Sequence, residues 1–455
     1  MEYLTAAMPQ TPVPPLPPST VGAPSAGDAY LPTSGNGGYT VDHYDIDLDY
    51  RVETNRLVAT TVISARATEP LERFSLDLAG LVVDRVTIAG ERPRKVTHTA
   101  RKLVITPLQR IEAGEAFAVT VRYRGSPHPI RTVWGEVGWE ELADGVLVAG
   151  QPNGASSWFP CNDHPSNKAT FHLAVTCESV YQVIANAPLA SRTSRAGRAR
   201  WEFDVVEPMA TYLATVQIGR YRSIAVEGSP VDASIAFPPQ LAARVAIDFG
   251  RLGEMLTVFS DLFGPYPFPA YGVVVTHDEL EIPLEAHGLA IFGSNHVDGV
   301  HGSDRLIAHE LAHQWFGNSL TVSRWQDIWL HEGFACYAEW LWGEASGGPS
   351  AEESARTHWA IVNAQPRDIL IGDPGTKSLF DDRVYKRGAL ALHEVRRTIG
   401  DDAFFGSLRE LGSRRRFSNI VPGDVVGFFG EHAGTDAAEG IIRRWVYAKS
   451  LPRLS

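Results

Sequence analysis

Five consecutive residues, His309-Glu310-Leu311-Ala312-His313, carry the strongest chemical signal in this 455-residue chain. Histidines four apart stand one turn apart on one helix face, so both imidazoles can reach a single ion at the roughly 2.0–2.1 Å of a Zn–N bond. Glu310, between them, cannot turn to the same ion, but it can reach a bound water as general base. Glu332, nineteen residues after His313, is the natural third ligand. It opens an apolar run, Gly333–Ala338, that reads as a second helix packed on the first. Three protein ligands leave a fourth zinc position open, which marks a catalytic rather than a structural site. The expected cofactor is one Zn2+ per chain, held by His309, His313 and Glu332. A bare His-Glu-x-x-His arises by chance in roughly a few per cent of chains this long, and its alternative is a buried helix with two hydrogen-bonded histidines.

These residues need elements to hold them. Ser303 or Asp304 can cap the first helix and Gly317 can end it. Upstream, Leu241, Val245, Phe249, Leu252, Leu256, Phe259 and Phe263 recur at spacings of three and four. That predicts one amphipathic helix, stopped by Gly264-Pro265. Val273–Val275 and Leu289–Phe292 read as short strands, with Glu281-Ile282-Pro283-Leu284-Glu285 between them. Pro283 cannot donate to a ladder, so this stretch is edge or loop, and edge backbone is free to pair with an extended peptide. His296 and His301 lie in Gly-rich, irregular sequence and read as surface loop. Glu339 falls on the same helix face as Glu332, two turns on, and either steadies a ligand imidazole or is a solvated acid.

The first half of the chain has a different period. Tyr44, Ile46, Leu48 and Tyr50 alternate with His43, Asp45, Asp47 and Asp49, and short apolar alternations recur to about Ile218. Turn residues separate them, which predicts two packed antiparallel sheets. Residues 1–27, with six prolines between Pro9 and Pro18, read as a polyproline-rich tail. The expected architecture is a tail (1–27), a β-sandwich (28–222) and an α+β domain (223–455).

Composition narrows the class. A net charge of −12 argues against nucleic-acid binding. No apolar run is long enough to span a bilayer. Three cysteines are too few for a disulfide framework, and the first residues lack a basic start and an apolar core. Both point to a cytoplasmic protein. The sequence says nothing of oligomeric state.

The flanks of the motif read HELAHQWFGN and WLHEGFACYAE. Here the chain resembles the M1 family of zinc aminopeptidases, which carry HExxH, eighteen intervening residues, and Glu. The resemblance implies an N-terminal β-sandwich followed by a thermolysin-like zinc domain, acting on peptides with a free N-terminus. It extends to three further stretches. Gln151–Phe171 contains Phe159-Pro160-Cys161-x-Asp163-His164-Pro165, with His164 where the family has Glu; the family's Gln or Glu at the start of this stretch enters the cleft, which nominates Gln151. The family's Gly-x-Met-Glu-Asn falls on Ile282-Pro283-Leu284-Glu285-Ala286, where only Glu285 matches and is nominated for the substrate amine. The family's Tyr-x-Lys-Gly falls on Tyr385-Lys386-Arg387-Gly388, which nominates the Tyr385 hydroxyl for the oxyanion. Without the zinc motif nearby, Glu285 would read as a loop acid and Tyr385 as a packing residue. Longer members continue with a further sandwich and a large helical domain, so the resemblance implies a more open cleft here. An endopeptidase, an epoxide hydrolase on the same scaffold, and an inactive M1-like binding module are the alternatives.

Overall fold

The computed structural model describes residues 21–433 and 435–454, the side chains of residues 432–436 excepted. The proline cluster of the expected tail lies outside the described residues. Residues 21–27 are not tail-like: the Gly22 N–H donates to the Arg73 carbonyl (2.8 Å), Ala26 to Ser34 (3.1 Å), and Gly37 back to Ala23 (2.9 Å). The small residues that read as linker permit close packing instead, since a Cβ on Gly22 would sit 2.6 Å from the Gly37 carbonyl oxygen. Asp28, next in sequence, is buried between the two halves of the chain. It accepts the Trp325 N–H (3.0 Å) and faces His164 Nε2 (3.3 Å).

The N-terminal half is a β-sandwich of three sheets. The largest has seven strands, in the order Leu189–Arg195, Arg198–Ala210, Lys168–Glu178, Tyr39–Arg51, Arg56–Ala67, Ala116–Gly125 and Val82–Ile88. Sheets of five and three strands complete it. The alternation seen in sequence is the burial pattern: Tyr44, Ile46, Leu48 and Tyr50 are all in the core. Pairing in the large sheet is antiparallel except at its centre, where Tyr39–Arg51 runs parallel to Lys168–Glu178, with Tyr44 opposite Phe171. The strand Arg198–Ala210 was not anticipated. It buries Ala199, Trp201, Phe203 and Val205 on one face, while Arg198 and Arg200 on the other pair with Asp49 and Asp47 of the first strand.

The C-terminal half begins with a five-stranded sheet in the order Arg222–Ala225, Asp232–Phe237, Ala270–Val275, Leu289–Phe292 and Leu284–Ala286. The last is an edge strand. The single helix expected from Leu241 to Phe263 is two, Ala242–Asp248 and Leu252–Phe263. Gly250 weakens the helix between them. Asp248 also accepts the N–H groups of Gly299 (2.8 Å) and His301 (3.0 Å), tying the break to the loop before the motif. Helix Asp304–Ala312 carries the motif; Ser303 occupies its N-cap position without a side-chain cap bond. Helix Trp329–Ala345 packs on it, and helix Asp382–Ile399 packs on that in turn.

Two details fix this helix stack. A Cβ on Gly333 would lie 2.9 Å from the Gly388 Cα, and one on Gly388 2.8 Å from the Gly333 Cα. The backbones of the second and third helices therefore touch, closer than side chains normally allow. Next to Gly388, the buried Arg387 donates to the carbonyls of Trp445 (2.5 Å), Ser450 (2.9 Å) and Ala448, where helix Thr435–Val446 ends. Burial of that cation lowers its pKa to about 10. A second buried cation, Lys168 of the sandwich, donates to the carbonyls of Asn318 (3.0 Å) and Ser319 (2.8 Å), and burial lowers its pKa to about 7. No helix among the described residues is long and apolar enough to cross a membrane.

Candidate active site

The helix pair brings the metal-type residues together. One ligand atom each from His309, His313 and Glu332 lie within 4.8 Å of one another. Glu332 Oε2 is 3.4 Å from His309 Nε2 and 3.5 Å from His313 Nε2, so all three present donors to one point. The remaining imidazole nitrogens are occupied elsewhere, as ligand histidines require. His309 Nδ1 is 2.8 Å from Glu339 Oε1, and His313 Nδ1 is 3.1 Å from the Phe316 carbonyl. The Glu339 carboxylate is buried and takes Arg305 on its other oxygen (3.0 Å), so the solvated-acid alternative falls away. Burial alone would raise the pKa of Glu332, but His313 and His309 overcome it and hold the carboxyl well below its usual range. The same contacts raise His313 to about 9: burial opposes its charge, and Glu285 and Glu332 outweigh that. Two imidazoles and a carboxylate, converging and buried, fit a borderline-soft dication such as zinc.

Glu310 is 4% exposed and its Oε2 has no hydrogen-bond partner among the described residues. Burial raises its pKa to about 7, more than the adjacent histidines lower it. It faces a cleft of about 470 Å³ shared with Gln151, Glu285, Glu332 and Tyr385. Tyr385 stacks on His309, with centroids 5.9 Å apart. Burial, then the carboxylates of Glu332 and Glu285, push its pKa well above the usual value, so the hydroxyl keeps its proton. Glu285 sits on the edge strand, where one carboxylate oxygen lies within 4.8 Å of ligand atoms of Glu310 and His313. Gln151, from a loop of the sandwich, donates its amide to Glu285 Oε1 at 2.6 Å. All seven residues nominated from sequence thus line one cavity.

Residues 40–213 match the family model described as the peptidase M1 N-terminal domain, and residues 248–445 the peptidase family M1 domain. An M1 zinc metallopeptidase from Deinococcus radiodurans superposes with a TM-score of 0.85 at 31% identity, over 94% of this chain and 99% of that one. The chain belongs to peptidase family M1. Curated M1 relatives include endoplasmic reticulum aminopeptidase 1 of Homo sapiens, 27% identical over 88% of this chain and 46% of that protein. Another is the leucyl aminopeptidase of Saccharolobus solfataricus, 24% identical over 90% of this chain and 54% of that protein. The chain spans about half the length of the curated relatives it matches. A variant of the Deinococcus M1 enzyme has been solved with a Tyr-Ser-Ala substrate.

Where this M1 chain departs from the family pattern, the structure shows what the replacement touches. His164 is buried against Asp28 and Ser166. Arg387 binds carbonyls away from the cleft. Ile282 is 60% exposed at the cleft rim. Sequence reasoning missed Gln314 and Asn318, although both stand in the quoted HELAHQWFGN. The Gln314 side chain accepts the Gly288 N–H (2.9 Å) and donates to the carbonyls of Ala286 (3.2 Å) and Leu289 (3.3 Å). Asn318 donates to the Ala286 carbonyl as well (2.8 Å). Together they pin the Glu285 strand to the end of the motif helix. The available signal was two amides in an otherwise apolar run.

Proposed function

We propose that this M1 chain is a zinc aminopeptidase that removes N-terminal residues from peptides. His309, His313 and Glu332 would hold one zinc ion, which supplies Lewis acidity toward the scissile carbonyl and its attacking water. Glu310, buried with its Oε2 unpartnered among the described residues, takes the water's proton and delivers it to the leaving amine. The protonated Tyr385 hydroxyl donates to the developing oxyanion. Glu339 holds the tautomer and orientation of His309. The reading assigns the sandwich to residues 28–222 and the catalytic domain to 223–455, with the Gln151 loop reaching across.

The observation that carries the exopeptidase assignment is the Gln151–Glu285 pair at 2.6 Å inside the metal cleft. A carboxylate there binds an α-ammonium by charge-assisted hydrogen bonds. Gln151 orients it without adding negative charge. An endopeptidase has no use for such an anchor. The three buried, free cysteines support a reducing compartment. The test compares Leu-arylamide with its N-acetylated form, on wild type and Glu285→Ala. Wild type cleaves only the free amine, and the variant loses most of that preference. Equal cleavage of both substrates by wild type points instead to an endopeptidase.

A further inference from the structure

We infer that Trp134, a residue of the sandwich outside the cleft, sets how strongly the enzyme favours large apolar first residues, because it holds Phe380 in place as a wall of the cleft. The inference rests on the aminopeptidase reading and deepens it by naming what sets substrate choice. Phe380 lines the cleft with Glu285, Glu310 and Tyr385, and Trp134 does not line it. Phe380 ends a stretch, residues 373–380, that contains no strand and no helix beyond the single turn Thr376–Ser378. Backbone with so few ladder or helix bonds of its own takes its shape from what it is tied to.

Two ties come from the N-terminal half. The Tyr30 hydroxyl donates to the Asp373 carboxylate and accepts the Gly375 N–H (2.8 Å). The Trp134 indole Nε1 donates to the Thr376 carbonyl (2.8 Å), and its ring meets Phe380 edge to face, with centroids 6.1 Å apart at 79°. Trp134 stands in the turn between strands Ile130–Thr132 and Gly135–Leu142, where Thr132 pairs with Gly135. It packs half-buried on the catalytic core, while its neighbour Val133 is 66% exposed. The next strand of the same sheet, Gly145–Ala149, runs antiparallel with Ala149 opposite Gly138, so the Gln151 loop leaves the sheet at the same end as the Trp134 turn. One end of one sheet thus sends Gln151 to the amine anchor and Trp134 to the Phe380 wall. With the amine at Glu285 and the carbonyl at the metal, the first side chain of the peptide lies at this end, where an aromatic face gives it apolar contact.

The experiment measures kcat/KM for Phe-arylamide and Ala-arylamide on the same enzyme preparation and takes their ratio, from which any loss of folded or zinc-loaded enzyme cancels. Wild type is expected to favour Phe-arylamide by roughly tenfold or more, as burial of an aromatic side chain gives. Trp134→Ala should lower that ratio by roughly three- to tenfold, the worth of one edge-to-face aromatic pair, and Trp134→Phe should keep part of it because it keeps a ring. In a Phe380→Ala background, Trp134→Ala should leave the ratio where Phe380→Ala alone puts it, since Trp134 acts through that ring. A wild-type ratio near one overturns the inference, as does an unchanged ratio in Trp134→Ala or the same loss with and without Phe380. Each of these results leaves the aminopeptidase reading standing; a wild type inert toward every arylamide removes that reading instead.

Discussion

The two walls of the cleft are built on different principles. The metal wall consists of helices Asp304–Ala312 and Trp329–Ala345, with every residue from Trp329 to Trp342 buried and a glycine contact locking the third helix against the second. The recognition wall is a three-residue edge strand, Leu284–Ala286, hung from hydrogen bonds to Gln151, Gln314 and Asn318, with Ile282 exposed beside it. Close packing resists displacement, because interiors have little free volume. A hydrogen-bonded edge is easier to adjust. On the proposed reading, chemistry belongs to the rigid wall and substrate choice to the adjustable one. Damage to the first should therefore abolish turnover without changing discrimination, and damage to the second should do the reverse.

The largest effect is expected at Glu310. Glu310→Gln should lower kcat by roughly 10²–10⁴, the range for a lost general base, while zinc stays bound. Glu332→Ala should instead lose zinc, as metal analysis will show; full occupancy with unchanged activity would remove Glu332 from the ligand set. Tyr385→Phe comes next, with kcat expected to fall roughly 10²–10³ at nearly constant KM, because the bond forms mainly in the transition state. A kcat within a few-fold of wild type returns Tyr385 to packing. Glu339→Gln should weaken zinc affinity by roughly 10–100-fold, read by competition with a chelator.

The recognition wall is broken more gently. Gln314→Ala removes hydrogen bonds that hold the Glu285 strand but no catalytic group. Preference for free over acetylated amine should drop by roughly three- to tenfold, as expected for one or two lost hydrogen bonds, with zinc content unchanged. An equal loss of kcat toward every substrate would show the two walls to be one unit. The smallest effect concerns Lys168, where the sandwich meets the loop after the motif. Its folded-state pKa lies near 7, below the unfolded value, so between about pH 7 and 10 the unfolded chain binds the extra proton. Stability gains from this group as pH rises through that window, by at most about 1.4 kcal/mol per pH unit. Lys168→Met should flatten the rise in urea midpoint between pH 7.5 and 9 relative to wild type.

The rigid wall was more legible in sequence than the adjustable one, for a physical reason. The candidate ligands His309 and His313 stand four apart on one helix, a spacing that by itself suggests a metal, and Glu332 opens the apolar run that follows them. Glu285 and Gln151 meet only through a tertiary contact across 134 residues, and only the family resemblance nominated them. Gln314 and Asn318 escaped because their spacing has no chemistry of its own; their partners are backbone N–H and carbonyl groups brought in by folding. The strand Arg198–Ala210 was missed although Ala199, Trp201, Phe203 and Val205 alternate, because Pro208 sits inside the run and argues against a central strand. Periodicity also ran through Phe249 without registering that Asp248 had better acceptor work outside the helix.

Arg387 sets a schedule as well as a contact. Its acceptors, the carbonyls of Trp445, Ala448 and Ser450, lie 58 to 63 residues further along the chain. At the usual 5–20 residues per second of synthesis, that separation lasts roughly 3–12 s. During this interval a guanidinium destined for burial has nothing to bind, and burying an unpaired charge is costly. Until those carbonyls are available, packing the helix that carries Tyr385 against Gly333 leaves the guanidinium without them. A nascent chain halted before them should already hold a folded sandwich and a complete His-Glu-His sequence, yet cleave nothing.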